Sequence, residues 1–269
     1  MSLCLIMVFP LGMGIKGASI ATSISCIAGG CMVLVYFLFF SNQLKFYRLK
    51  CTWKSFKLTV RNVGYMARIG FATFLQELAM GIMMITGNYM FLSRLGEDGV
   101  AAFSVGCYLF PIIFSISNAV AQSSQPIISF NYGAKNMERV GRALRIALGT
   151  AVISGLLITL CMWTGSPLLS MVFLPADSDA YAIASKGLPL LGLCALFFAV
   201  NITFIGYYQS IEKVVISTVY SMLRGIIFVI PAFLFLPGLI GDIGLWLSIP
   251  FAEMVTMLTI VAVYFARKL

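Results

Sequence analysis

Seven stretches of the sequence, at about 17–40, 67–92, 100–130, 146–165, 187–209, 214–236 and 243–266, run apolar far enough to cross a bilayer. Each is near or above the ~20 residues that span a hydrocarbon core as a helix. Inside that core only a helix or a closed barrel satisfies its own backbone polar groups. Apolar runs of this length and frequency exceed what the core helices of a water-soluble domain need. The sequence therefore specifies an all-α, polytopic helical membrane protein. Composition agrees, with 61% hydrophobic and 10% charged residues in a chain of 269 and a mean hydropathy of +1.00.

The formal net charge of +9 would suit a nucleic-acid partner if its Lys and Arg formed one patch. They lie instead in short loops between apolar runs, so no nucleic-acid partner is expected. Lys45, Arg48, Lys50, Lys54, Lys57 and Arg61 fall in the loop 42–66, with Arg68 at its edge. Lys135, Arg139, Arg142 and Arg145 fall in 131–145, and Lys213, Arg267 and Lys268 complete the same side. The alternate loops hold only Lys16, Arg94 and Lys186, with the acids Glu97, Asp98, Asp177, Asp179 and Asp242. Lys and Arg concentrate in cytoplasmic loops, so the pattern predicts a multi-pass protein of a bacterial inner (plasma) membrane with its C-terminus in the cytoplasm.

Several functions are excluded. The absence of histidine removes histidine proton relays and His-bearing metal sites. The seven cysteines, scattered and without a CxxC pair, read as small hydrophobes, and no metal-ligand set is expected. Without a Walker A, GxSxG or HExxH motif, ATP hydrolysis and the usual hydrolytic chemistries lack their parts, so the chain is not expected to be an enzyme.

Residues 2–13 are apolar, yet a helix of about twelve residues rises only ~18 Å against a core of ~30 Å. This stub is expected to be the outer end of a helix whose remainder lies upstream. Gly14-Ile-Lys-Gly17 enters one span and Gly241-Asp-Ile-Gly244 enters the last, each span leaving through a basic exit. Secondary carriers often consist of two related repeats; an offset of about 227 residues would start a first repeat roughly 160 residues before Met1. The expected organisation is a remnant of an N-terminal lobe at 1–41 (stub plus one span), a cytoplasmic basic linker at 42–66, and a C-terminal six-helix lobe at 67–269. Phe46, Tyr47, Trp53 and Phe56 among the linker lysines point to a segment lying on the inner interface.

Ionisable and amide side chains within spans are costly and mark cavities or partner helices. Thr73, Glu77, Gly81, Met84 and Asn88 share one face of the 67–92 span. A carboxyl at that depth suits a proton or sodium carrier, because the bound ion neutralises a charge that hydrocarbon disfavours; packing glue between helices is the alternative. Ser115, Asn118, Gln122, Gln125 and Ser129 follow at spacings of 3, 4, 3 and 4, a stripe that must face a cavity or a helix seam rather than lipid. Pro111 and Pro126 in the same span each remove a backbone hydrogen bond, which makes them gate or hinge candidates. Asn201, with Phe197, Phe204 and Tyr208 on nearby turns, reads as an aromatic wall for planar cations or as ordinary packing. Glu253 and Arg224 are each a second coupling group or half of a structural ion pair. The candidates are thus Glu77 and Glu253 for ion coupling, and Thr73, Asn88, Tyr108, Asn118, Gln122, Gln125 and Asn201 for a substrate cavity.

The stretch Gln122-Ser-Ser-Gln-Pro126-Ile-Ile-Ser-Phe-Asn131-Tyr-Gly133-Ala-Lys-Asn-Met-Glu-Arg139 resembles the helix-to-loop signature of the multidrug and toxic compound extrusion (MATE) family. Gly14-Ile-Lys-Gly-Ala-Ser-Ile-Ala-Thr22 is similar to the turn entering that family's sixth helix. Gly206-Tyr-Tyr-Gln209-Ser-Ile-Glu-Lys213, with Leu223-Arg224-Gly225 and Pro231, resembles its tenth-to-eleventh helix junction. The resemblance implies a two-lobed, twelve-helix antiporter that exports drugs and organic cations against inward proton or sodium flow, with no cofactor beyond the coupling ion. It implies that the chain runs from the end of helix five to helix twelve, partnered by the bilayer, its small-molecule substrates and a missing N-terminal lobe. Glu77 then matches an acidic helix-seven position of sodium-coupled members, while their second acidic position falls near Phe198 and is not acidic here. Two alternatives stand beside this reading. A lipid-linked oligosaccharide flippase of similar architecture would be expected to line its cavity with several cations, for which only Arg224 is a candidate; the other alternative is a truncated fragment that transports nothing.

Overall fold

The structure, a computed structural model, describes residues 6–7, 10, 12–40 and 52–266, apart from the side chains at 18, 68, 69 and 72. Most of the 2–13 stub, the basic positions Lys45, Arg48, Lys50, Arg267 and Lys268, and the interfacial Phe46 and Tyr47 lie outside these residues. All the regular elements described are helices: α1 (Gly14–Val35) with a π-helical turn at Tyr36–Phe40, α2 (Trp53–Gly133), α3 (Met137–Phe173), α4 (Asp179–Gly192), α5 (Cys194–Ser210), α6 (Val214–Met222), a second π-helical turn (Leu223–Ile227), α7 (Val229–Ile240) and α8 (Ile243–Ala266). The chain divides into two compact units, Met1–Arg61 and Asn62–Leu269.

Six helical stretches among the described residues are long and apolar enough to span a membrane: 14–40, 73–133, 137–173, 179–210, 214–240 and 243–266. The second, at 61 residues, would run ~90 Å if straight, three times the ~30 Å core. Gly96 prevents this, because its φ of 67° and ψ of −154° break α2 into two arms. These arms hold the spans expected at 67–92 and 100–130. With α3, α4–α5, α6–α7 and α8 they form a six-helix lobe, and α1 supplies one further span in the first unit.

Two expected loops are largely helical. Residues 53–66 already belong to α2, and only 134–136 interrupt helix within 131–145. Hydropathy marks where the bilayer ends, whereas Lys, Arg and Glu extend a helix into water at little cost. Asn136 starts α3 by accepting a hydrogen bond from the Arg139 amide, and Glu138 and Arg142 pair across one turn at 3.1 Å. Ser178 caps α4 by accepting from the Tyr181 amide.

The G-x-x-G turns have a common construction. Gly96 and Gly241 adopt φ values of 67° and 68°, a left-handed region that excludes most side chains. Three residues later Gly99 and Gly244 lie so close to the preceding helix end that a Cβ would meet Leu95 Cβ at 2.3 Å and Leu236 backbone at 2.6 Å. The third copy of the motif, Leu95-Gly96-Glu97-Asp98-Gly99, joins the two arms of α2. Arg94 braces the two corners, donating from Nη1 to the Pro237 carbonyl at 3.0 Å, one of the carbonyls that the end of α7 leaves without a helical partner.

Two apolar clusters fill the lobe. One is built around Phe91, Phe103, Phe110, Phe198, Phe233 and Trp246; the other joins Ile128, Val140, Leu144, Phe204, Ile205, Tyr208, Tyr220 and Ile260. Small residues let the helices close up. A Cβ on Gly225, in the second π-helical turn, would fall 1.9 Å from Ala79 Cβ of α2.

Candidate functional site

A polar cavity of about 620 Å³ is lined from α2 by Thr73, Gln76, Glu77, Asn118, Gln122, Gln125, Pro126 and Ser129, and from α5 by Gln209. Both arms of α2 contribute, because the break at Gly96 folds the Thr73–Glu77 turn back towards the 118–129 stripe. Gly206, one turn before Gln209, has no side chain to hold α5 away: a Cβ there would lie 3.3 Å from Ala121 Cβ and 3.1 Å from Gln125 Nε2. Gln125 Nε2 donates to Gln209 Oε1 at 3.3 Å, while Gln209 Nε2 is buried with no hydrogen-bond partner. Glu77 is exposed on the wall, and Gln76 beside it is buried. Such a cavity offers amide donors and acceptors together with one carboxylate.

A second polar centre is sealed in the packed interior. Arg224 donates from Nη2 and Nε to Glu253 Oε1 at 2.9 and 3.0 Å. Asn201 Nδ2 donates to Glu253 Oε2 at 2.7 Å and to the Glu253 carbonyl at 2.9 Å. The guanidinium lies 4.2 Å from the Phe198 ring centroid, and Phe110 and Phe114 pack edgewise on that ring. Arg224, Glu253 and Asn201 are 5%, 1% and 0% exposed. Arg224 sits on the π-helical turn between α6 and α7, which re-aims a side chain by adding one residue to a helical turn. Acid, amide and aromatic face thus surround a cation that the chain itself supplies, and the pair is neutral as a whole.

The candidate residues therefore separate. The cavity collects Thr73, Glu77, Asn118, Gln122, Gln125 and Pro126. Asn201 and Glu253 lie instead in the sealed centre, and Phe204 and Tyr208, expected beside Asn201 on an aromatic wall, are core residues of the second apolar cluster. Asn88 is half-buried and its Oδ1 has no partner. Tyr108 is 66% exposed and stacks on Phe173 with centroids 5.5 Å apart. Pro111 is exposed, and its carbonyl accepts from Ser115 Oγ at 2.7 Å. Two lining residues, Gln76 and Gln209, were not singled out in the sequence as cavity candidates. Gln76 carries a signal, being three residues after Thr73; Gln209 stands at a span end beside Glu212 and Lys213 of the following turn, where a polar residue reads as loop surface.

A six-helix lobe with polar side chains gathered at a cavity defines a polytopic helical membrane protein. The chain belongs to the MATE family, whose model, MatE, matches residues 62–234. It is 25% identical over 269 aligned residues to the multidrug export protein MepA of Staphylococcus haemolyticus, covering 98% of this chain and 56% of that protein. It is 21% identical over 263 residues to MepA of Staphylococcus saprophyticus, with the same two coverages. The chain thus spans about half the length of the curated relatives it matches. Among solved structures, a MOP superfamily transporter from Pyrococcus furiosus, described as having a binding pocket of reverse polarity, superposes with a TM-score of 0.85 at 19% identity, over 99% of this chain and 59% of the other. An outward-facing multidrug resistance MATE transporter superposes with a TM-score of 0.82 at 20% identity, over 96% and 57%. At these identities the likeness shows the fold.

Proposed function

We propose that this chain is the C-terminal lobe, with the last span of the N-terminal lobe, of an antiporter that exports drugs or organic cations in exchange for protons or sodium ions. It acts together with the part of the fold that the relatives possess and the matched region does not cover. In this reading residues 1–41 belong to the N-terminal lobe, 42–66 to a cytoplasmic linker and 67–269 to the C-terminal lobe, and the protein lies in the bacterial plasma membrane with its C-terminus in the cytoplasm. The observation that carries the proposal is the Glu77 carboxylate on the wall of an amide-lined cavity, within a span where charge is tolerated only for a purpose. Asn118, Gln122, Gln125 and Gln209 supply hydrogen bonds to varied ligands, and Glu77 attracts either the coupling ion or a cationic substrate, exchanging one for the other. Pro126 on the cavity wall and Pro111 further along are its hinges. No cofactor beyond the coupling ion takes part.

The family relationship and the MepA relatives support export, and the cavity chemistry weighs against an oligosaccharide flippase. A lipid-linked pyrophosphate requires cations, and none occurs among the described residues lining the cavity; Arg224 is committed to Glu253. Efflux of a cationic dye by the assembled transporter in proteoliposomes, driven by an imposed proton or sodium gradient, tests the proposal. Glu77→Gln is expected to abolish the gradient dependence, and full gradient-driven efflux by that variant would remove the carboxylate from the mechanism.

A further inference from the structure

A groove of about 750 Å³ runs between the end of α2 and the start of α3, away from the cavity described above. Its two ends differ chemically. Arg139 and Arg142 stand at the end near the α2–α3 turn, while Ala119 and Thr150 lie at the other, with Ile127 and Ile146 along the walls. On α2 the lining reaches from Ala119 to Asn131 and on α3 from Arg139 to Thr150, an axial length of about 17 Å. That length matches one leaflet of a ~30 Å hydrocarbon core.

The lining is also less polar than its sequence suggests. Ser123 Oγ donates to the Val120 carbonyl at 2.9 Å, Ser124 Oγ to Ala121 at 2.7 Å and Thr150 Oγ1 to Ile146 at 3.0 Å. Asn131 Nδ2 donates to Ile127 at 2.7 Å. With their hydroxyl protons spent on their own helices, Ser123, Ser124 and Thr150 have no donor left for the groove, while Asn131 keeps its Oδ1 and one amide proton at the arginine end. Ile127 and Ile146 are 55% and 65% exposed. The charged groups concentrate at one mouth: Arg139 and Arg142 are both exposed, and Arg142 donates from Nη2 to Glu138 Oε1 at 3.1 Å.

We propose that this groove binds an anionic phospholipid of the inner leaflet, its phosphate held by Arg139 and Arg142 and one acyl chain lying along Ile127 and Ile146 towards Ala119. The assignment of leaflet rests on the basic loops facing the cytoplasm; the groove itself is independent of the export cavity. Basic sites between membrane helices at the cytoplasmic side recognise anionic headgroups in this way. Glu138 competes for Arg142, so Arg139 carries the larger share of the selectivity.

The test is lipid retention by the full chain after reconstitution in vesicles of mixed phosphatidylglycerol and phosphatidylcholine, extraction in mild detergent and native mass spectrometry. The wild type is expected to retain phosphatidylglycerol in preference to phosphatidylcholine. Arg139→Gln should lower that preference about fivefold, from ~1 kcal/mol per basic side chain at the surface, and Arg142→Gln should lower it less. Glu138→Gln frees Arg142 and should raise the preference, a gain that misfolding does not imitate. Ala119→Trp, which fills the apolar end at an exposed position, should reduce retention of both lipids, whereas Lys186→Gln, remote from the groove, should change nothing. Equal retention of the two headgroups by the wild type, or no response to Arg139→Gln and Glu138→Gln, would overturn the proposal, as would a groove occupied by protein and retaining no lipid in the assembled transporter.

Discussion

The Arg224–Glu253 pair allows a double-mutant cycle with a sign that distinguishes pairing from independent contributions. Each partner is at least 94% shielded, the two guanidinium contacts measure 2.9 and 3.0 Å, and Asn201 occupies the other carboxylate oxygen at 2.7 Å. Removing one partner leaves a buried charge uncompensated, at about 3–5 kcal/mol. Arg224→Met and Glu253→Met are therefore each expected to lower the melting midpoint of the purified chain in lipid nanodiscs by about 6–20 °C, at ~2–4 °C per kcal/mol for a domain of this size. The double variant removes both charges and fills the space with apolar side chains, so its charge penalty is near zero. What remains is Asn201, left without its carboxylate acceptor at about 1–3 kcal/mol. The double variant should accordingly be more stable than either single one. If it instead lost the sum of the two single effects, the groups would be acting separately, and the account of a mutually neutralising buried pair would be wrong.

Two further perturbations separate packing from motion. Gly225→Ala places a Cβ 1.9 Å from Ala79 Cβ and 3.1 Å from Ala79 Cα, so backbones must part; a loss of about 1–3 kcal/mol is expected, read as a lower melting midpoint, while Gly81→Ala, with nothing within 4 Å, should be neutral or slightly stabilising. Pro111→Ala, outside the cavity lining, restores the backbone donor that the Cys107 carbonyl lacks, and should slow efflux while leaving dye binding by the detergent-solubilised transporter unchanged.

Much of the architecture was legible because the bilayer imposes a simple rule on sequence. Long apolar runs had to be helices, and the glycine corner recognised at 241–244 separates α7 from α8. The one at 96–99 went unread as a corner because Glu97 and Asp98 already marked that stretch as a loop. Helix ends were less legible: 53–66 and 137–145 are helical beyond the apolar runs, since hydropathy follows solvent and helix propensity does not. Within the site, the faces carrying Thr73 and Glu77, and Asn118, Gln122 and Gln125, could be traced because one helix sets the spacing. Contacts between helices could not. Gln209 meets Gln125 across 84 positions, Asn201 meets Glu253 across 52 and Arg224 meets Glu253 across 29. No periodicity connects such distant residues, so Glu253 as a coupling group and Glu253 as half of an ion pair looked alike in the sequence.

The glycine corners and the Arg94 brace also determine where this lobe can bend. Gly96 and Gly241 turn the chain within a few residues, and the tie from Arg94 to Pro237 fastens one turn to the helix entering the other. That hydrogen bond ties the rim at both corners. The two corners are therefore expected to move as one piece, and insertions that lengthen either corner should uncouple it from the other.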